Sequence, residues 1–246
     1  MRIGFAGILG DAWSLFRRDA DLLLRIAAPF FFLPVFALTL FVPPMPMPDA
    51  AIADRQAQAQ RWAEAAMTWL GGYAPGFVAA YAVVFFGLAL ITTLYCDPTR
   101  PDVRGAFART TTLFPRFILA TILVSLPAGL GLWFLYIPGL YVIGRTMLTA
   151  PTLIADRSTS AILAIRASLR MTRGSGLTLM GLAAFVYLLG ALGGQPLLLL
   201  DAWMRGNGAA NPVAVAIVDA GAAAVAMATQ LALAMIAIAA YRRLAR

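Results

Sequence analysis

No histidine and no lysine occur among the 246 residues, there is a single cysteine (Cys96), and charged side chains make up only 12% of the chain. Without histidine there can be no Cys/His zinc cluster, no His-based catalytic triad and no haem-ligating histidine. One cysteine rules out an intramolecular disulfide. A soluble domain of this size carries about twice the charged fraction on its surface. What fills the chain instead is apolar: 61% of residues are hydrophobic and the mean hydropathy is +0.82. Apolar runs of about 20 residues recur along the sequence, the length a helix needs to cross a hydrocarbon core about 30 Å thick. The expected class is an all-α, polytopic membrane helical bundle forming one integral membrane domain over 1–246, with no room for a separate soluble catalytic domain.

Runs and breakers place six spans, at 22–42, 77–95, 117–135, 140–155, 177–200 and 213–240. The stretch 117–155 is far too long for one crossing, and Pro138 and Gly139 supply a tight-turn pair between its halves. Two spans joined by a minimal hairpin is the preferred reading, with a re-entrant segment as the alternative. Arginines orient the spans. Fifteen (Arg2, Arg17, Arg18 and Arg25; Arg100, Arg104, Arg109 and Arg116; Arg157, Arg166, Arg170 and Arg173; Arg242, Arg243 and Arg246) fall on one side. Arg55, Arg61 and Arg205 fall on the other, and Arg145 lies within a span. That alternation fits six crossings with both termini in the cytoplasm. The first apolar run is too long, and contains Pro29 and Pro34, to read as a cleaved leader ending at Ala51-Ile52-Ala53.

The connections on the basic side read as amphipathic interfacial helices. Phe5, Leu9, Ala12, Trp13 and Phe16 form a stripe in the first. Val103, Ala106, Phe107, Thr110, Leu113 and Phe114 do so in the second, with Asp102 as cap. In the third, Ser158, Thr159 and Ser160 offer caps, and Ile162, Ile165 and Leu169 oppose Arg166, Arg170 and Arg173. Arg17, Arg18, Arg104, Arg109, Arg166, Arg170 and Arg173 are the candidate contacts to anionic lipid headgroups of the cytoplasmic leaflet; packing under the bundle is the other use of the same helices. The three units overlay loosely from Ala12, Ala106 and Ala164, a hint of an internal repeat.

Three stretches are the most distinctive. They are Ile137-Pro-Gly-Leu-Tyr-Val-Ile-Gly-Arg145, then Pro151-Thr-Leu-Ile-Ala-Asp156, then Ala164-Ile-Arg-Ala-Ser-Leu-Arg-Met-Thr-Arg-Gly174. With the opening Gly10-Asp-Ala-Trp-Ser-Leu-Phe-Arg-Arg18, they resemble the YciC-like family of uncharacterised bacterial inner-membrane proteins. They are also similar to the membrane domain fused to some glycerophosphodiester phosphodiesterases. The resemblance implies a six-span protein of the bacterial inner membrane and brings no activity, since the phosphodiesterase chemistry relies on histidines.

Two charges stand deepest in the spans. Arg145 and Asp219 sit at similar depth below the outer face, and an intramembrane charge costs about 2.5–3.5 kcal/mol, so they are expected to pair. The pair is either a structural lock or part of a substrate or proton route. Gly190, Gly193, Gly194 and Pro196 mark either close helix packing or a broken transporter helix. Gln195 and Gln230 are mid-span amides, Asp156 has Arg157 beside it, and residues 43–48 (Pro-Pro-Met-Pro-Met-Pro) form a stiff extended strap. The segment 52–70, with Trp62 and Trp69, is either a helix on the outer membrane face or a solvated loop. No nucleophile–base cluster, cofactor site or metal site emerges, and nucleic acid is not expected as a partner. The expected function is non-enzymatic, in envelope organisation or lipid-associated processes, with a small-solute or lipid transporter using Arg145 and Asp219 as the alternative.

Overall fold

The computed structural model describes residues 4–48, 54–134, 136–156, 159–206 and 211–245. Among them all regular structure is helical: α1 (Phe5–Arg18), α2 (Ala20–Ala27), a π-helical turn (Ala28–Phe32), α3 (Leu33–Phe41), α4 (Arg55–Cys96), α5 (Val103–Phe134), α6 (Tyr136–Thr146), α7 (Thr149–Ala155), α8 (Ala161–Met171), α9 (Gly176–Gly206) and α10 (Pro212–Leu244). Five stretches are long and apolar enough to cross a membrane: Ala20–Phe41, Arg55–Cys96, Val103–Leu132, Gly176–Gly206 and Pro212–Leu244. The expected fourth span differs. It is split into α6 and α7, and the turn at Met147 and Leu148 leaves neither piece long enough alone.

The first span is continuous through its π turn. Pro34 has no N–H to give the carbonyl four residues back, so the helix widens there rather than breaking. Helix α4 packs here through Gly87, where a Cβ would strike Phe30 and Phe31. Helix α10 is the hub. Leu231, Ala234, Met235, Ile236 and Ile238 are buried along it, with Leu182 of α9, Leu23 of α2 and Ile8 of α1 packed in the same core. In lipid such packing rests on close fit rather than on a hydrophobic drive between helices, which is why small residues fill the contacts.

Several sequence expectations shift. The hairpin does not sit at Pro138 and Gly139. Those residues lie in the first turn of α6, where a proline costs little because its missing N–H has no partner there anyway. Gly139 is instead a contact position, where a Cβ would lie 2.8 Å from Leu132 Cα of α5. The second basic connection is not a separate helix. It is the opening of α5, which runs on through Pro115 and Pro127. Helix α4 is 42 residues long, about 63 Å at 1.5 Å per residue, so it extends well past a ~30 Å core. Its amino-terminal half carries the strap: Trp62 Nε1 donates to Pro46 O at 2.9 Å and Trp69 Nε1 to Pro43 O at 2.9 Å. Residues 52 and 53, and the leader site at 51–53, lie outside the described residues.

Candidate functional site

The arginine-rich ends of the elements gather at one end of the bundle. Arg243 Nε of α10 contacts Asp11 Oδ2 of α1 at 2.5 Å, and Gly7 leaves room for its guanidinium. Arg242 donates to Tyr95 O at 2.9 Å and lies 5.5 Å from the Tyr95 ring centroid, while Tyr95 Oη donates to Asp19 Oδ2 at 2.7 Å. Arg18 pairs with Asp19 at 2.8 Å. The hydrogen bonds from Arg18 and then from Tyr95 hold the Asp19 carboxyl below its ordinary value. A cavity of about 960 Å³ opens between these groups and the α4–α5 turn. Of the arginines expected to meet headgroups, Arg17, Arg104, Arg166, Arg170 and Arg173 are exposed. Arg157 lies outside the described residues, as does the cap candidate Ser158. The cap of α8 that is seen is Ser160, whose Oγ accepts from Leu163 N at 3.4 Å. Helix α8 buries Ala161, Ala164 and Ser168 rather than its larger residues, and turns Ile162 and Leu163 outward.

Arg109 departs from the headgroup reading, because it faces inward. It binds Asp97 Oδ2 and donates to Thr99 Oγ1 at 2.5 Å, closing the α4–α5 turn. Burial works against the Asp97 carboxylate, but the Thr99 hydroxyl, the Thr99 backbone N–H and the Arg109 guanidinium outweigh it and hold the acid at about 2. A carboxylate depressed in the folded state stabilises the fold above its unfolded value, and that stability is lost as pH falls through the folded value. Thermal melts should therefore show the α4–α5 turn weakening from about pH 4 down to about pH 2. Arg109→Gln should move the loss to higher pH; an unchanged profile would contradict the assignment.

Arg145 and Asp219 do not pair. Arg145 lies at the end of α6 and is taken up by the end of α8, where the last carbonyls of a helix attract a cation. Its Nη2 donates to Leu169 O at 2.6 Å, its Nε to Thr172 Oγ1 at 2.9 Å and its Nη1 to Tyr141 Oη at 3.0 Å. Its carbonyl, freed by the helix end, accepts from Ser168 Oγ at 2.8 Å. Asp219 is fully buried in α10 and binds Arg205 Nη2 at 2.8 Å, and the same guanidinium holds Asp201 Oδ1 through Nε at 2.7 Å. Arg205 Nη2 also donates to Thr39 O at 3.1 Å, tying α3 to α9 and α10. Asp201 and Arg205 stand four apart just before the α9–α10 connection, an i, i+4 spacing that is the sequence signal for this cluster.

A lateral groove of about 520 Å³ lies between α1, α9 and α10. Its floor forms because Gly190 and Gly193 present no side chain and Ala228 and Ala232 only a methyl. Gly190 also lets the two helices close up, since a Cβ there would come within 2.5 Å of Thr229 Oγ1. The glycines thus serve packing, and α9 runs unbroken through them and through Pro196. Trp13 and Phe16 of α1, stacked with centroids 5.6 Å apart, form the roof. The hydroxyl of Thr229 is spent on Val225 O at 2.8 Å, so the groove asks nothing polar of an occupant. Among the described residues no group of three or more His, Cys, Asp or Glu side chains is placed to hold a metal ion. Family models, curated proteins and solved structures were all compared with the chain, and none matches.

Proposed function

We propose that the protein is a multi-pass, non-enzymatic protein of a bacterial inner membrane, acting in a lipid-associated process of the envelope, and that it seats a phospholipid chain in the groove between α1, α9 and α10. The groove carries this reading: it is lateral, apolar and, with its polar atoms internally satisfied, suited to hydrocarbon. Arg17 follows Trp13 by one helical turn and is exposed beside the roof, which suits an anionic headgroup. Each such arginine contributes on the order of 1 kcal/mol near an anionic surface. The YciC-like resemblance fits the same setting. In this reading α6 and α7 together make a sixth crossing, 20 residues or about 30 Å, and the arginine-rich end with both termini faces the cytoplasm. The transporter alternative rested on Arg145 and Asp219 converging; each engages separate partners, which removes that support.

Filling the groove tests the proposal. Ala228→Phe and Ala232→Phe should each cut the phospholipid retained through mild detergent extraction, read by native mass spectrometry, at least tenfold, with the melting temperature kept. Arg17→Gln should keep the lipid but lose the preference for anionic over zwitterionic species. Equal retention by wild type and both filled variants would overturn the groove as the site.

A further inference from the structure

The cluster of Asp201, Arg205 and Asp219 does not balance. Two carboxylates share one guanidinium, and among the described residues no second cation pairs with them: α3 offers the Thr39 carbonyl, and the α10 residues flanking Asp219 are apolar. Asp201 is 7% exposed and Asp219 is 0% exposed. Arg205 spends Nε on Asp201 Oδ1 and Nη2 on both Asp219 Oδ2 and Thr39 O. Asp219 Oδ1 is left buried with no hydrogen-bond partner. A net negative charge with an orphaned carboxylate oxygen costs several kcal/mol in a low-dielectric interior, and proteins do not leave that cost unmet. A buried ionisable group inside a span that lacks a full set of partners is a candidate ion or proton position.

We propose that the cluster is a binding site for one monovalent cation, a proton or a sodium ion, received at Asp219 Oδ1. Such a charge brings the cluster to neutrality and satisfies the orphaned oxygen at once. The site is reachable from the end of the bundle opposite the arginine-rich one. Arg205 is the penultimate residue of α9 and its side chain is 30% exposed, whereas Asp219 lies eight residues into α10. The bound cation would hold α3, α9 and α10 together at that end, so occupancy sets how tightly the α9–α10 hairpin closes on the first span.

Two readouts on the purified full-length protein separate the cations. If sodium is bound, replacing N-methylglucamine chloride by sodium chloride at fixed pH and ionic strength should raise the melting temperature. If a proton is bound, the melting temperature should ignore sodium, and the infrared difference between wild type and Asp219→Asn should show a carboxylic-acid carbonyl band at neutral pH. Either result supports the site. Asp201→Asn leaves one carboxylate on one guanidinium, so it should abolish whichever signal the wild type gives even if Asp219→Asn folds poorly. No sodium response together with no carboxylic-acid band overturns the proposal, as does a signal that survives Asp201→Asn.

Discussion

Arg205→Leu should lower stability by about 3 kcal/mol. It strips the shared cation from two buried carboxylates and frees the Thr39 carbonyl, so three helices lose their tie together. The cost is that of uncompensated buried charge rather than of a contact, which gives the test its sign. Adding Asp219→Asn to Arg205→Leu should recover part of the loss, because one of the two stranded carboxylates is then neutral. Thermal unfolding in detergent, followed by loss of the monodisperse species, is the measurement. A mild effect for Arg205→Leu, or a double variant worse than the single one, would show that the cluster contributes nothing to the hairpin.

Gly144→Ala should follow closely, at about 2 kcal/mol, while Gly190→Ala should cost less than about 1 kcal/mol. Both glycines sit where a Cβ would come within 2.5 Å of another helix, but they meet different atoms. At Gly144 the obstacle is Met180 N, with Met180 Cα at 2.8 Å, so α6 and α9 themselves must separate. At Gly190 it is Thr229 Oγ1, a hydroxyl that can rotate away. That contrast between backbone and side-chain obstacles matters more than the distances, because packed helices yield far less readily than a rotamer. Reversal of the order in thermal melts would mean that α6 does not lie against α9 as described.

The long helices were readable from their apolar runs, since a span's length follows from the thickness it must cross. Their ends were not. Helix α4 starts at Arg55 and joins the helix offered for 52–70 to the span expected from Phe77: Ala, Gln, Arg and Glu are good helix formers, and the helix runs on through Gly71, Gly72, Pro75 and Gly76, which read as breakers in the sequence. The Arg145–Asp219 pairing failed for a related reason. Equal depth follows only if the fourth span crosses straight from Leu140, whereas α6 ends at Thr146 and presents Arg145 to the Leu169 carbonyl of α8 and the hydroxyl of its C-cap Thr172. Arg205 reads in the sequence as an outer-side topology charge, whereas α9 and α10 place it against Asp219. The groove was illegible, since it depends on which faces of α1, α9 and α10 meet; only the glycines that floor it stood out in the sequence.

The most direct test of the membrane architecture is accessibility to a membrane-impermeant maleimide, with single cysteines placed in a Cys96→Ser background. Ser14, Thr112 and Ser160 are exposed near the arginine-rich end, and Met47 lies beyond the first span at the other. With six crossings, Ser14→Cys, Thr112→Cys and Ser160→Cys should all label in inverted membrane vesicles and Met47→Cys only in intact spheroplasts. Labelling of Ser160→Cys from the same side as Met47→Cys would mean that α6 and α7 do not complete a crossing, and would contradict the six-span reading.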